Sequence, residues 1–347
     1  MLSIDGRFFL RGVDTFRPIF TSALSILRPD RNDEAVRALL DWIVQTGFNG
    51  FRVFAGRLRW ANQTVERARA RLPFVLDEAT SRGLYVEVTA ITDSKDGGYE
   101  VGAHARAVGD LLTDNAILEV ANEPWHPSQA DSVHGAGFLA GLGRGVFALG
   151  AAQNDESDAM SGGTYVTVHL SRSRDKWNQV RRVSELRALS GNVGKPVLNN
   201  EPIGADEVAE AGRRESDPAF FFCMGVLNRL NEIGGVFHSQ AGLHAGLPGL
   251  QQQRCAEAFV AGSHAIPTAD RLHFENADNL DHWPNSPIKT ARFGDTVVRA
   301  YTGVSGDRAW TVLVGLTGDP GLVLQNGWAV SGTLATMPGV DLLELHR

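Results

Sequence analysis

The stretch "AILEVANEPWHP", residues 116–127, opens with an apolar run and ends abruptly on polar residues. Ile117, Leu118 and Val120 are followed at once by Asn122 and Glu123. An apolar run of this kind is typical of a strand that is covered on both faces. Because a carboxylate is costly to desolvate, a glutamate at the point where such a strand surfaces indicates a functional role.

Seven further short apolar runs alternate with helical patterns along the chain. The eight runs occupy residues 7–13, 48–54, 84–91, 116–123, 145–152, 164–170, 195–201 and 234–242. Apolar residues recur at helical spacing from Ala35 to Val44, where Gly47 closes the pattern and Asp30 or Asn32 is placed to cap its start. Similar amphipathic stretches occupy about 65–82, 101–113, 175–190, 215–231 and 249–262.

This alternation predicts a parallel sheet, because each return crossover between parallel strands needs a helix. Eight such units in about 260 residues match the size of a closed (β/α)8 TIM barrel. A doubly wound open sheet is the rival architecture, but the Gly-rich phosphate turn expected after its first strand is missing. The fifth run, "GVFALGAA", could equally be the end of a helix.

From about Ser286 the sequence pattern changes from alternating apolar runs and helical stretches to short stretches typical of β-strands. The stretches "TVVRAYTGV", "AWTVLVGLTG" and "DLLELH" alternate at period two and are separated by Gly-containing turns. These patterns predict a small C-terminal antiparallel β-domain. We expect the barrel to occupy residues 1–268, and the linker and small β-domain to occupy 269–347, with 271–287 as the linker.

The composition is that of a globular chain and excludes some partners. Of 347 residues, 33 are basic and 40 are acidic, the net charge is −7, and there is no basic block, so nucleic acid is not an expected partner. No apolar stretch approaches the length needed to cross a bilayer, and no obligate protein partner is evident. No leader of signal-peptide form is present, so the localisation stays open between an intracellular protein and a trimmed secreted one. Cys223 and Cys255 are expected to be buried free thiols, although a disulfide is possible.

A second carboxylate holds the place on the seventh run that Glu123 holds on the fourth. In "GKPVLNNEPIG", Glu201 again follows an asparagine and precedes a proline. The triplet Asn-Glu-Pro should occur by chance roughly 0.04 times in a chain of this length. Because active sites of (β/α)8 barrels lie at the carboxyl ends of the strands, both glutamates should face one cleft. Two carboxylates across a cleft are what the cleavage of a glycosidic bond requires.

With these two motifs the sequence resembles the glycoside hydrolases of clan A. The start "FFLRGVDTF", the "GFNGFRVF" of the second run and the "VTVHL" of the sixth are most similar to the cellulase and mannanase-type family 5. The resemblance covers roughly residues 5–245 and implies a retaining β-glycoside hydrolase that acts on β-linked glycans or oligosaccharides. The mechanism it implies is a double displacement through a glycosyl-enzyme ester, with carboxyl groups about 5–5.5 Å apart.

The resemblance also implies a role for each matching residue. Glu123 matches the general acid/base of the clan, and Glu201 matches its nucleophile. Asn122 matches the asparagine that hydrogen-bonds the sugar 2-hydroxyl, and Arg52 matches the arginine that keeps the nucleophile ionised. His169 matches a histidine that lines the reactive subsite.

The sequence departs from the family pattern in places that contact sugar. Ser171 stands where a tyrosine is usual, and the eighth run offers Phe237, His238 and Gln240 where a tryptophan is usual. We therefore assign His238 and Gln240 as substrate contacts. Trp125, directly beyond the acid/base motif, is the best candidate for an aromatic platform under a sugar ring. Further aromatic candidates near strand ends are Trp60, Tyr99, Trp177 and Trp283.

No metal or cofactor is expected, because neither a Cys/His cluster nor an HExxH run occurs. Two alternative functions remain open. One is a transglycosylase on the same scaffold, and the other is a non-catalytic carbohydrate-binding relative. The C-terminal β-domain is expected to cover apolar surface of the barrel rather than to bind glycan.

Overall fold

The computed structural model describes residues 2–95, 97–153, 162–170, 183, 186 and 194–266, together with parts of the C-terminal region. Those parts are residues 273–276, 288–293, 296–297, 299–305, 307–314, 321–324, 327–338 and 340–347. Among the residues described, no helix combines the length and apolar composition that a bilayer crossing requires.

The chain begins with an antiparallel meander of three short strands, β1 (Leu2–Asp5), β2 (Phe8–Arg11) and β3 (Asp14–Phe16). The prediction that residues 7–13 form the first barrel strand is therefore wrong. Gly6 and Gly12 have φ of 53° and 66°, values that suit the tight reversals on either side of β2. Of the four side chains of β2 only that of Phe9 is fully buried, as expected of a surface ribbon rather than a barrel strand.

The central sheet is parallel throughout. Its strands are β4 (Ile19–Ser22), β5 (Gly50–Phe54), β6 (Tyr85–Ile91), β7 (Ala116–Ala121), β8 (Phe147–Gly150), β9 (Ala152–Gln153), β10 (Val166–His169), β11 (Val197–Asn199) and, after two shorter strands, β14 (Gly234–Phe237). Their order in the sheet is β8-β7-β6-β5-β4-β14-β11-β10-β9. Because β8 and β9 are successive parts of one segment, both ends of this order lie on the same piece of chain and the sheet closes into a barrel of eight positions. The fifth run is thus a strand, as the barrel prediction requires.

Helices cover the outside of the barrel. They are α1 (Asp33–Thr46), α2 (Val65–Ser81), α3 (Val101–Asp110), α4 (Ala136–Ala140), α5 (Pro218–Leu230), α6 (Gln240–Leu243) and α7 (Leu250–His264). The predicted boundaries of α1 are confirmed: Asn32 Oδ1 accepts from Ala35 N at 2.8 Å, and Gly47 ends the helix with φ of 95°. The predicted helix at 175–190 lies almost wholly outside the described residues, of which only Val183 and Leu186 are described there, both helical.

The N-terminal meander closes one end of the barrel. Leu2, Phe9 and Phe16 pack with inward-facing barrel residues such as Phe20 and Tyr165 in one buried apolar cluster. Phe9 and Tyr165 meet edge to face with ring centroids 5.3 Å apart. The meander therefore fills the end at which the strands begin, and the opposite end, where the strands finish, is left for the site.

The C-terminal region is antiparallel, as predicted. Its larger sheet contains β15 (His273–Asn276), β18 (Arg299–Ser305), β19 (Arg308–Val314), β21 (Ala329–Met337) and β22 (Val340–His346), and its smaller sheet contains β16 (Ile288–Phe293), β17 (Thr296–Val297) and β20 (Gly321–Leu324). The segment predicted as a linker contains strand β15, which pairs in register with β18. The division of the chain at residue 268 stays a prediction.

Helix α5 lies between the barrel and the larger C-terminal sheet. Every residue from Ala219 to Leu230 is buried, and the helix contacts β14 of the barrel as well as β18 and β19. Trp310 and Val312 on β19 belong to the same apolar core as the barrel residues. The two remaining strands, β12 (Gly204–Ala205) and β13 (Arg214–Glu215), form a small parallel pair between β11 and α5. Cys223 and Cys255 are buried free thiols, as expected, and burial raises the pKa of Cys255 to about 12.

Candidate active site

The residues predicted from strand ends do meet at one end of the barrel. Arg52 lies on β5, and Asn122 and Glu123 follow β7 directly. His169 is the last residue of β10, and Glu201 lies two residues beyond β11. Asn122, Glu123, His169 and Glu201 thus lie at the carboxyl ends of their strands, where the barrel brings together residues that are far apart in the sequence. Arg52 was expected at a strand end but lies in the middle of β5, from where its side chain contacts Asn122 and Glu201.

The two carboxylates Glu123 and Glu201 share a single pocket with His169. His169 Nδ1 lies 3.0 Å from Glu123 Oε1, and His169 Nε2 lies 3.6 Å from Glu201 Oε2. Atoms of all three side chains lie within 4.8 Å of one another. His169 is 8% exposed, whereas the side chains of Glu123 and Glu201 are 24% and 17% exposed, so both acids can be reached from solvent.

The backbone at Glu123 is held in an uncommon conformation. Its φ is 42°, in the left-handed region that non-glycine residues seldom adopt. The turn is held by backbone bonds, in which Asn122 N donates to Ile91 O at 2.9 Å and His126 N donates to Glu123 O at 2.8 Å. Strained residues of this kind cluster at functional sites, where the surrounding structure offsets a cost of about 1–3 kcal/mol.

Gly150 on β8 makes room for this turn. Its φ is 154°, and a Cβ atom there would lie 2.3 Å from Ala121 O and 2.5 Å from Pro124 Cγ. Both distances are far shorter than any real carbon contact. Only glycine fits beside the Asn-Glu-Pro turn without displacing it.

Arg52 is fully buried and connects the site to the barrel interior. Its guanidinium donates to Glu119 Oε2 at 2.5 Å, to Asn122 Oδ1 at 2.8 Å and to Glu201 Oε2 at 3.1 Å. It also lies over the ring of Phe54, 4.8 Å from the centroid. Burial alone would lower the pKa of Arg52, but the neighbouring carboxylates Glu119, Glu87 and Glu201 raise it above its usual value.

Two buried acids, Glu87 on β6 and Glu119 on β7, complete the arrangement, and the sequence analysis did not assign them. Both are 0% exposed. Burial alone would raise the pKa of Glu119, but Arg52 above all, with His169 and Thr89, lowers it below its usual value. A signal for them exists in the sequence: Arg52, Glu87 and Glu119 are charged residues inside apolar runs that form neighbouring strands, where a buried charge needs a partner.

The remaining predicted contacts are placed around the mouth. Trp125 is half-buried and its indole N–H donates to Ala151 O at 3.2 Å. His238 follows β14, and Gln240 begins α6, with Gln240 Nε2 3.4 Å from His244 Nε2. Their contact with sugar stays a prediction. Trp177, Trp283 and Ser171 lie outside the described residues.

The other two aromatic candidates differ in exposure. Trp60 is 45% exposed and meets the His244 ring edge on, with centroids 5.4 Å apart. Tyr99 packs against His104 at a centroid distance of 5.4 Å, and burial raises the pKa of its hydroxyl to about 12. Trp60 therefore presents a free ring surface, whereas much of Tyr99 is used in packing.

The carboxylate pocket could also coordinate a cation. Within the described part of the chain, one group of three potential metal ligands lies close together, and it consists of Glu123, His169 and Glu201. Each offers one ligand atom of a type that divalent metals accept. The expectation that the site works without a metal stays a prediction.

Comparison with known proteins gives matches of fold but none of sequence family. No protein-family profile matches the chain, and no curated protein matches it significantly. A glycoside hydrolase family 5 structure from Bacteroides vulgatus is similar with a TM-score of 0.64 at 11% identity, covering 100% of this chain and 92% of that one. GH5_18 from Streptomyces cattleya, solved in complex with GlcNAc, gives a TM-score of 0.52 at 16% identity over 76% of this chain and 82% of that one.

An endo-1,4-β-mannanase from Rhizomucor miehei is also similar, with a TM-score of 0.53 at 10% identity over 76% of this chain and 99% of that one. At these identities the likeness concerns the fold. The chain therefore resembles the clan A, family 5 glycoside hydrolases, and it shares their (β/α)8 barrel.

Proposed function

We propose that the chain is a retaining glycoside hydrolase that cleaves β-linked glycans or oligosaccharides with Glu123 and Glu201. One observation carries the proposal: the two carboxylates and His169 lie within 4.8 Å of one another at the mouth of the barrel. This separation fits a retaining enzyme, whose carboxyl groups are about 5–5.5 Å apart, better than an inverting one, where water needs about 6.5–9.5 Å.

The charges around the pocket favour Glu201 as the nucleophile. A nucleophile must be a carboxylate, and Arg52 donates to Glu201 Oε2 at 3.1 Å from a position without solvent exposure. An adjacent cation in a buried site favours the ionised form of an acid. In the first step Glu201 attacks the anomeric carbon, the glycosidic C–O bond breaks, and a glycosyl ester forms on Glu201.

Glu123 is then the general acid and later the general base. It gives its proton to the leaving oxygen in the first step and takes one from water in the second, when the water attacks the anomeric carbon and releases Glu201. His169 Nδ1 contacts Glu123 at 3.0 Å and stands between the two acids. Esterification of Glu201 removes its negative charge, which favours the ionised form of Glu123 that the second step needs.

Gluco- or manno-configured sugars are the substrates that we propose. Support comes from the similar structures, one of which holds GlcNAc while another is a mannanase. Asn122 precedes Glu123, and its Oδ1 accepts a hydrogen bond from Arg52 at 2.8 Å. This bond fixes the orientation of the Asn122 amide, so its N–H group can donate to a sugar hydroxyl. No cofactor takes part in the proposed mechanism.

The test replaces each glutamate by glutamine and measures kcat/KM on a panel of aryl β-glycosides and β-linked polysaccharides. We expect each of Glu123→Gln and Glu201→Gln to lose at least about a thousandfold on the best substrate. Proton NMR of the first product anomer should show retention. Near-full activity in either variant, or an inverted product, would contradict the proposal.

Two readouts separate the alternatives. A mechanism-based fluoro-sugar that esterifies Glu201 excludes a binding-only protein, because only a working nucleophile forms the ester. Product analysis with an added acceptor sugar distinguishes hydrolysis from transglycosylation.

A further inference from the structure

One cation and two acids lie inside the barrel directly beneath the carboxylate pocket. The side chains of Arg52, Glu87 and Glu119 are all 0% exposed. Arg52 faces Glu119 Oε2 at 2.5 Å, Glu201 Oε2 at 3.1 Å and Glu87 Oε2 at 3.5 Å. Inside the barrel this one guanidinium faces two fully buried acids, and it also contacts Glu201 at the pocket, so the two buried acids cannot both be balanced as anions. An unbalanced charge in a dry interior is very costly. One of the acids should therefore carry a proton.

The hydrogen bonds of Glu119 are those of an ionised carboxylate. Its Oε2 accepts from Arg52 at 2.5 Å and from Thr89 Oγ1 at 2.6 Å, and its Oε1 accepts from Asn200 Nδ2 at 2.9 Å. Three donors thus converge on its two oxygens, which is the environment that favours an ionised carboxylate. The lowered pKa of Glu119 agrees with this geometry.

The donors around Glu87 are fewer and lie farther away than those around Glu119. Asn200 Nδ2 lies 3.4 Å from each Glu87 oxygen, but it donates at shorter range to Glu119. Arg52 Nε, at 3.5 Å, is beyond hydrogen-bond distance. The closest of these contacts of Glu87 is with the hydroxyl of Tyr165, at 3.0 Å.

The Tyr165 hydroxyl offers an acceptor for a proton on Glu87. Its oxygen is 3.0 Å from Glu87 Oε1 and 3.1 Å from Leu118 O. The hydroxyl has one proton to donate, and a backbone carbonyl can only accept. This proton can therefore serve either Leu118 O or Glu87 Oε1, but not both. A protonated Glu87 satisfies both contacts at once, because Glu87 then donates to Tyr165 Oη and the tyrosine donates to Leu118 O.

We propose that Glu87 is a positioning residue that stays protonated at neutral pH, donates its proton to Tyr165 Oη, and so leaves the charge of Arg52 to Glu119 and Glu201. Its consequence for catalysis rests on the proposed function, whereas the position of the proton does not. Ionisation of Glu87 would place a third anion on the guanidinium and weaken its hold on Glu201.

The electrostatic surroundings agree with this geometry. Burial first, and the charge of Glu119 second, raise the pKa of Glu87 to about 8, while Arg52, Tyr165 and Asn200 act in the opposite direction. The other titratable groups near the cluster are Glu201, which contacts Arg52, and His169, which acts on Glu119.

Infrared spectroscopy tests the proton directly and needs no substrate. A protonated carboxyl group absorbs at a higher frequency than a carboxylate, so the spectrum is recorded at pH 7 in a Glu123→Gln background, in which the proposed general acid contributes nothing. We expect a protonated-carboxyl band that disappears on Glu87→Gln and moves to higher frequency on Tyr165→Phe, which removes the acceptor. A spectrum without the band, or a band that survives Glu87→Gln, would overturn the proposal.

Measurements of activity provide a second test of the proposal. We expect Glu87→Leu to lower kcat/KM about 30-fold, and Glu87→Gln, whose amide reproduces the shape and donor of the neutral acid, to recover it to within about threefold. Above pH 8 the wild-type activity should fall more steeply than that of Glu87→Gln, because only the wild type ionises at Glu87. A Glu87→Gln variant that fails to fold, or that loses as much activity as Glu87→Leu, would contradict the neutral acid.

The infrared and activity measurements distinguish failure of the proton assignment from failure of the proposed function. The infrared band present without any glycosidase activity would leave the proton assignment standing and remove the proposed function. Activity present without the band would do the reverse.

Discussion

His169 lies between the two carboxylates of the site, with Nδ1 3.0 Å from Glu123 Oε1 and Nε2 3.6 Å from Glu201 Oε2. A single imidazole thus contacts both groups that exchange protons or charge during the proposed reaction. Because the ring spans the pair, its removal should disturb both proposed steps.

We expect His169→Ala to lower kcat/KM by about 10²-fold and to change the shape of its pH profile, because both acids lose a polar neighbour. The matched control is His104→Gln, which changes a buried histidine whose Nε2 bonds Ala90 O at 3.1 Å on the outer side of β6. The pH profile of the control should match that of the wild type. An unchanged profile in His169→Ala would show that the histidine only fills space.

Arg52→Met should destabilise the fold as well as abolish activity. It leaves Glu119 and Glu201 without their shared cation, and breaking a buried pair costs about 3–5 kcal/mol. Urea denaturation measures the free energy of unfolding. The control, Arg37→Met, breaks the surface pair with Glu78, which solvent screens, and should cost far less. Equal losses in the two variants would mean that burial of the Arg52 cluster has no energetic effect.

Gly150→Ala should reduce both stability and kcat/KM, because the new methyl group would overlap Ala121 O and Pro124 beside Glu123. The expected loss of stability is about 3 kcal/mol or more. Gly145→Ala is the matched control: its φ is 58° but no atom lies within 4 Å of the new Cβ, so only about 1 kcal/mol of backbone strain is expected and activity should be kept. Similar effects of the two substitutions would argue against the close packing.

His104 should make stability depend on pH. Burial lowers its pKa from 6.5 to about 4, so the folded state binds fewer protons than the unfolded state between these values. The contribution of the neutral ring is fully present above pH 6.5 and is lost as the pH falls to 4, by about 3 kcal/mol. The wild type should therefore lose more stability than His104→Gln over this range in urea titrations at several pH values. Parallel losses would show that His104 is solvated.

The two strand-end motifs were readable from the sequence because each is local. Asn-Glu-Pro after an apolar run places Glu123 and Glu201 without knowledge of the strand register. The roles of Glu87 and Glu119 were not readable in this way, because they depend on which residues of three neighbouring strands face each other. Whether a charged side chain is buried depends on which way it faces in the closed barrel, and the apolar residues next to it in the sequence do not show this.

Two errors along the chain have a similar cause. Residues 7–13 are apolar enough for a barrel strand, but turns at Gly6 and Gly12 fold them into the meander, and the shorter run Ile19–Ser22 takes the barrel position. In the predicted linker, His273–Asn276 forms a strand only because β18 is there to pair with it. Pairing partners that are distant in sequence decided both outcomes.

The closure of the barrel at β8 and β9 has a consequence for how the protein loses activity and aggregates. The seam lies at Ala151, whose carbonyl accepts the indole N–H of Trp125, two residues after Glu123. If the sheet opened at this seam, two unpaired strand edges would be exposed, and such edges can pair with other chains in aggregates. Separation of the strands at this seam would also disturb the catalytic turn, which Trp125 connects to Ala151, so we expect inactivation and aggregation of this protein to begin together.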